Sequence, residues 1–204
     1  MINRLPELKE TPSQTAGPYV HIGLTPNFAE INGVYAQDLG ATMLAGDSPG
    51  TRIVVGGRVL DGSGAPVTDA VIEIWQADAD GNFPQRSENP GSGFTGWGRQ
   101  PTDSAGAFRF ETIKPGAVAG PDGAFQAPHI SLWIVARGIN LGLATRLYFA
   151  DEADANATDH VLGKVLDPRR RATLIANRSD VDGTANYQLD IRLQGENETV
   201  FFDI

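Results

Sequence analysis

Hydrophobic positions through the middle of this chain recur every second residue. Between Arg52 and Leu60, Ile53, Val55 and Val59 share one face, and the turn-rich run DGSGAP follows. Val71 to Ala77 predicts a second strand, with Ile72 and Ile74 on one side and Val71 and Trp75 on the other. Asp80-Gly81 supplies a tight turn. After Ser104-Ala105-Gly106, Phe108 and Phe110 alternate with Ala107 and Arg109. Ile130 to Ala136 is nearly all apolar, the pattern of a strand covered on both faces. Tyr187, Leu189, Ile191 and Leu193 alternate with Asn186, Gln188, Asp190 and Arg192, which predicts a strand with one wet face.

Short strands separated by turns predict a mainly β fold, an antiparallel β-sandwich rather than a βαβ arrangement. The 24 glycines and 13 prolines supply those turns. Helical signals are few: the acidic, alanine-rich stretch 151–157, and a short helix opened by Pro168 and running through Asn177. GWGRQP at 96–101 reads as a glycine-containing turn, not a dinucleotide-binding motif. The first fifty residues lack periodicity. TPSQTAGPYVHIGLTP predicts an extended run over a surface, and GVYAQDLGATMLAGDSPG a loop. Residues 1–50 therefore divide as an N-terminal arm from a domain at 51–204. Such an arm contacts a partner, lines a site or is a plain ordered tail, and composition does not choose among these.

Hydrophobic content of 41% and charged content of 20% suit a soluble globular protein. A net charge of −9 argues against nucleic acid and anionic membrane surfaces as partners. No stretch approaches the ~20 apolar residues of a transmembrane helix. The start, MINRLPELKETPSQ, lacks the apolar core of a secretory signal. With no cysteine, disulfides and thiolate chemistry are excluded, and a cytoplasmic location is the expectation.

Candidate chemistry centres on His129. Were residue 131 also histidine, two imidazoles would converge on one metal ion, but Ser131 stands there and a hydroxyl is a much poorer ligand. A lone histidine at a strand edge is more often a hydrogen-bonded structural residue than a metal ligand. Arg137 ends the most apolar strand and is placed to meet an anion at a sheet edge, or to form an internal salt bridge or a solvent-facing cap. Arg146 is a second cation of interest. Glu73 and Asp190 read as charges on solvated strand faces, and no G-x-S-x-G nucleophile elbow is present.

WQADADGNFP (75–84), GWGR (96–99), TIKPG (112–116), APHIS (127–131), ARGIN (136–140), RLYFADEADAN (146–156), IRLQGENETVFFDI (191–204) and TPSQTAGPYVHIG (11–23) together resemble the intradiol ring-cleaving dioxygenases. The resemblance spans nearly the whole chain and is weakest around 30–50. It implies a β-sandwich and, in catalytic members, non-haem Fe(III) held by two tyrosines and two histidines, which cleaves a catechol with O2. Carried over, the tyrosine positions fall at Phe83 and Val118, the histidine positions at His129 and Ser131, and an arginine three before the first histidine at Gln126. Three of four ligands are absent, so the resemblance implies no metal ligand and no catalytic residue here. It is similar to alpha chains that pair with a homologous beta chain. That partner would hold the Fe(III), and protocatechuate and O2 would meet at the shared interface of a higher hetero-oligomer. The channel positions of such alpha chains fall at Thr15, Pro18, Tyr19 and Arg137, where a cation would orient the substrate carboxylate. The rival expectation is a catalytically dead β-sandwich binding or scaffold module that acts without a beta chain.

Overall fold

The computed structural model describes residues 14, 15, 17, 19–84, 93–120 and 123–203. Its strands are β1 (Leu44–Ala45), β2 (Arg52–Leu60), β3 (Val71–Trp75), β4 (Gly93–Phe94) and β5 (Trp97–Pro101). Then come β6 (Ala107–Ile113), β7 (Val118–Ala119), β8 (Phe125–Gln126), β9 (His129–Val135) and β10 (Leu143–Phe149). The last are β11 (Ile175–Val181), β12 (Thr184–Gln188) and β13 (Ile191–Arg192). Among the described residues three short α-helices, α1 (Tyr19–Leu24), α2 (Ala153–Thr158) and α3 (Pro168–Ala172), and a 3-10 turn at Leu162–Lys164 join them.

Strands β5, β3, β9 and β10 form one layer, and β11, β12, β2 and β6 the other. Strand β11 connects them: Ile175 and Ala176 pair with β10, and residues 177–181 pair with β12. Side chains from both layers meet in one core that includes Ile72, Ile74, Ile130, Leu132, Val55, Phe108, Phe110 and Tyr187. The sandwich is therefore as expected, but its pairing is mixed. β10 with β11, and both β12 and β13 with β2, run parallel.

The alternation from Tyr187 to Leu193 is real, with Tyr187, Leu189 and Ile191 all buried, yet the strand is broken. At the break the Asp190 carboxylate accepts from the Arg58 backbone N–H at 3.0 Å, replacing a ladder partner. Gly57 is required beside it, because a Cβ there would collide with the Leu189 carbonyl.

Other expectations are corrected. Residues 97–101 are not a turn: Gly98 is buried against Phe110 and Met43, and the segment pairs with β3. The helix opened by Pro168, with Asp167 as its N-cap, stops at Ala172 because β-branched Ile175 joins a buried strand. The arm is not wholly extended, since residues 19–24 are helical and bury Val20. Met43 from the arm is itself part of the core. Strand β9 is fully covered on one face only; on the other, Trp133 is 37% exposed.

One turn recurs three times. Asp61, Asp78 and Asp103 each begin the pattern Asp-x-x-Gly, with Gly64, Gly81 and Gly106 at positive φ. In each, the aspartate Oδ1 accepts the backbone N–H groups two and four residues on, at 2.8–3.0 Å.

Candidate functional site

The outer face of the β5-β3-β9-β10 layer carries the chemistry. Cross-strand pairing sets Trp97 beside Trp75, Trp75 beside Ser131, and Ser131 beside Arg146. The next row is Arg99, Glu73, Trp133 and Ala144, and one step the other way His129 faces Tyr148. Period two places all of these on one face, opposite the core residues Ile74, Leu132 and Leu147.

Phe83, Val118, Gln126, His129 and Ser131 belong to one connected cluster. Phe83 stacks on Trp75, with ring centroids 5.8 Å apart and planes within 4°. Buried Val118 pairs with Gln126 across β7 and β8. The Gln126 Oε1 accepts from Arg146 Nη1 at 2.8 Å, and Arg146 sits beside Ser131 and diagonal to His129. A guanidinium thus lies among these residues.

His129 is buried, and its Nδ1 donates to the Ala127 carbonyl at 2.7 Å, so the neutral ring keeps its free lone pair on Nε2. Burial first, and the Arg146 charge second, hold its pKa below the usual histidine value. The Tyr148 hydroxyl donates to Asp159 Oδ1 at 3.2 Å and lies 3.4 Å from Arg146 Nη1. Burial pushes that phenol up to about 12, so it is not a phenolate at neutral pH. Asp159 also accepts from the N–H groups of Ala127, Val161 and Leu162, which fixes this end of the cluster.

These residues do not fit a ferric ion. Fe(III) is a hard cation that favours anionic oxygen donors. Phe83 and Val118 have none, Tyr148 is held as the neutral phenol, and Arg146 adds positive charge where a metal would add more. Among the described residues no group of three or more His, Cys, Asp or Glu could hold a metal.

The second candidate locus is the far end of β9. Thr15 Oγ1 donates to the Ala136 carbonyl at 3.4 Å and accepts from the Gly138 N–H at 3.1 Å. This pins the arm on either side of Arg137. The Arg137 Nε donates to Asp69 Oδ2 at 2.9 Å while the side chain stays 67% exposed. Arg137 thus forms a salt bridge while its guanidinium still faces solvent. It borders an open cavity of about 920 Å³ that Asp69, Gly138 and Leu141 also line. Tyr19 is 71% exposed at the start of α1 and does not line that cavity. Pro18 lies outside the described residues. The structure thus sets Thr15 against the residues on either side of Arg137, while Tyr19 makes no side-chain hydrogen bond to either among the described residues.

Sequence reasoning missed the row of tryptophans and the Asp159–Tyr148 pair. The alternation of Ala144, Arg146 and Tyr148 with Thr145, Leu147 and Phe149 carried that signal. Glu73, read as a solvated charge, is partly buried, with Arg99 Nε donating to it at 2.7 Å.

The sequence profile of the family described as Dioxygenase matches residues 24–195. The chain is 50% identical over 197 residues to the protocatechuate 3,4-dioxygenase alpha chain of Pseudomonas putida, covering 96% of this chain and 97% of that one. The chain belongs to the intradiol ring-cleaving dioxygenase family. It is also 33% identical to the protocatechuate 3,4-dioxygenase beta chain of Burkholderia cepacia, over 76% of this chain and 69% of that one. Among solved structures it is similar to the dioxygenase domain of a dioxygenase carbohydrate-binding protein fusion from Streptomyces sp. SirexAA-E. There the TM-score is 0.59 at 28% identity, covering 76% of this chain and 87% of that one. The intradiol dioxygenase fold is thus kept, and the outer face of its sheet carries Arg146 beside Ser131 and Gln126. No helix among the described residues is long and apolar enough to cross a membrane.

Proposed function

We propose that this chain is the non-metal-binding alpha subunit of a protocatechuate 3,4-dioxygenase, working in cytoplasmic aromatic catabolism. The observation that carries the reading is the Arg146 guanidinium, held by Gln126 among Phe83, Val118, His129 and Ser131 in a chain otherwise so similar to alpha chains. A homologous beta chain holds the Fe(III), and the assembled enzyme cleaves protocatechuate with O2 to 3-carboxy-cis,cis-muconate. This chain's own residues bind and orient. Thr15 fixes the arm beside Arg137, and the exposed guanidinium draws the substrate carboxylate toward the interface. Tyr19, exposed on α1, and Pro18 are the further channel residues that the partner-contacting 1–50 arm supplies in this reading.

The test is co-expression with a homologous chain that retains both tyrosines and the His-x-His pair, followed by iron analysis and turnover of protocatechuate. Iron and activity are expected only when the two chains purify together. Stoichiometric iron in this chain alone, or a stable chain that ignores such a partner, would overturn the reading, and the latter result would favour a scaffold module.

A further inference from the structure

Arg99 ties both ends of the loop at 24–40 to strand β5. Its Nη1 donates to the Leu24 carbonyl at 3.0 Å, and its backbone N–H to the Gly40 carbonyl at 2.9 Å. Inside that clasp the Asp38 carboxylate accepts from the Asn27 and Phe28 N–H groups at 2.8 and 2.9 Å. The Ile31 N–H donates to the Pro26 carbonyl at 2.8 Å. Beyond it, among the described residues, the N–H groups of 32–35 have no backbone acceptor. The loop therefore has a fixed base and an unheld tip, the kind of segment that opens at little cost.

Asn32 and Gly33 form that tip, and both are exposed. No other asparagine of the chain is followed by glycine. Gly33 has φ 88°, and a Cβ there would meet nothing within 4 Å, so its amide nitrogen is unshielded and its surroundings are open. The Asn32 carboxamide is engaged only by a long bond, from Nδ2 to the Glu30 carbonyl at 3.4 Å. A nucleophile, an electrophilic carbon and water can meet here without disturbing the core.

We propose that Asn32-Gly33 is a site of spontaneous deamidation, which writes a carboxylate among the exposed Phe28, Ile31, Val34, Tyr35 and Leu39. The Gly33 amide nitrogen gives its proton to hydroxide and attacks the Asn32 carboxamide carbon. The new N–C bond forms, the bond from that carbon to Nδ2 breaks, and Nδ2 takes up a proton and leaves as ammonia. Water then opens the cyclic imide at either carbonyl, leaving aspartate or isoaspartate at position 32. In sum one water is consumed and one ammonia released, with no change of oxidation state. The product takes the formal net charge one unit below −9, and a charge set among apolar side chains makes them costlier to cover. The reaction needs only this chain and water, so it stands apart from any pairing with an iron-bearing chain and acts before a partner covers the arm.

The test is to age the purified full chain in warm buffer and follow it by isoelectric focusing, ammonia release and peptide mapping. One dominant acidic isoform is expected, mapping to position 32. Because the attacking nitrogen must first lose its proton, the rate should rise about tenfold per pH unit between about pH 6 and 8. The folded chain should react within about threefold of the rate in a free peptide of the same local sequence, since the tip needs no costly opening. Asn32→Gln, whose longer side chain closes the ring far less readily, should remove the isoform at an exposed position. If that variant fails to fold, the peptide map of the unaltered chain decides the matter. No acidic isoform, an isoform that maps to another asparagine, or a folded-chain rate slower than that threefold margin would overturn the proposal.

Discussion

Arg146 stands directly across the β9–β10 pairing from Ser131, and its Nη1 is held 2.8 Å from the Gln126 carboxamide. One side chain thereby spans Gln126 and Ser131, on two different strands. Adding a ligand at 131 would set it beside a fixed positive charge. Ser131→His is therefore expected to gain no ferric ion, and the purified variant should be colourless and iron-free by metal analysis. Ser131→His with Arg146→Gln removes the repulsion but still lacks phenolates, and should also give no tyrosinate-to-iron absorption band. Such a band in either variant would sink the argument.

Thr15 bridges the arm to the end of β9 through the Ala136 carbonyl and the Gly138 N–H. Thr15→Val keeps the shape and removes both bonds. The expected loss of stability is about 1 kcal/mol, since the site is near the surface and water replaces the partners. Limited proteolysis should then cut the arm earlier than in the parent chain, while thermal unfolding moves little. Deleting residues 1–20 should weaken assembly with a beta chain more than it lowers the melting temperature.

Arg137→Ala in the assembled enzyme is expected to impair carboxylated catechols selectively. The side chain is 67% exposed and shares its charge with Asp69, so the effect on kcat/KM should be about 1 kcal/mol and shrink with added salt. Catechol, without the carboxylate, should be little affected. Equal losses for both substrates would make Arg137 a structural residue that holds Asp69.

Burial lowers the pKa of both His129 and His21 from an ordinary value of 6.5. A depressed folded-state pKa means the unfolded chain takes up the proton first. The stability from these rings is complete above pH 6.5 and declines as pH falls through and below it toward the folded values. The melting temperature should therefore drop between pH 7 and about 5. His129→Gln, which retains a donor for the Ala127 carbonyl, should flatten that slope.

How much of this was legible beforehand varies with range. Strands such as β2 and β6 were readable because Ile53, Val55, Phe108 and Phe110 alternate cleanly and face one core. Residues 97–101 misled because Gly98 has no side chain to mark a buried position, and its burial comes from Met43 and Phe110, far away in sequence. The parallel pairing of β12 with β2 was equally hidden, because period two is the same in either direction. At the candidate site, the lost ligands could be read one residue at a time. That Arg146 fills the space among them depends on the β9–β10 register and on Gln126 across a third element.

The three Asp-x-x-Gly turns have a bearing on how the chain finds its fold. Strand β2 must meet β12 and β13, more than 120 residues later, and such distant pairings are slow to nucleate. Each aspartate turn, by contrast, satisfies its own backbone donors within five residues and needs nothing from afar. These three corners can therefore form early, from local bonds alone, each reversing direction at a fixed point. Asp103 and Gly106 set where β5 ends and β6 begins, and Asp61 and Gly64 do the same for β2 and the run into β3. Much of the sheet's order is in this way a choice among a few hinged segments rather than among free ones.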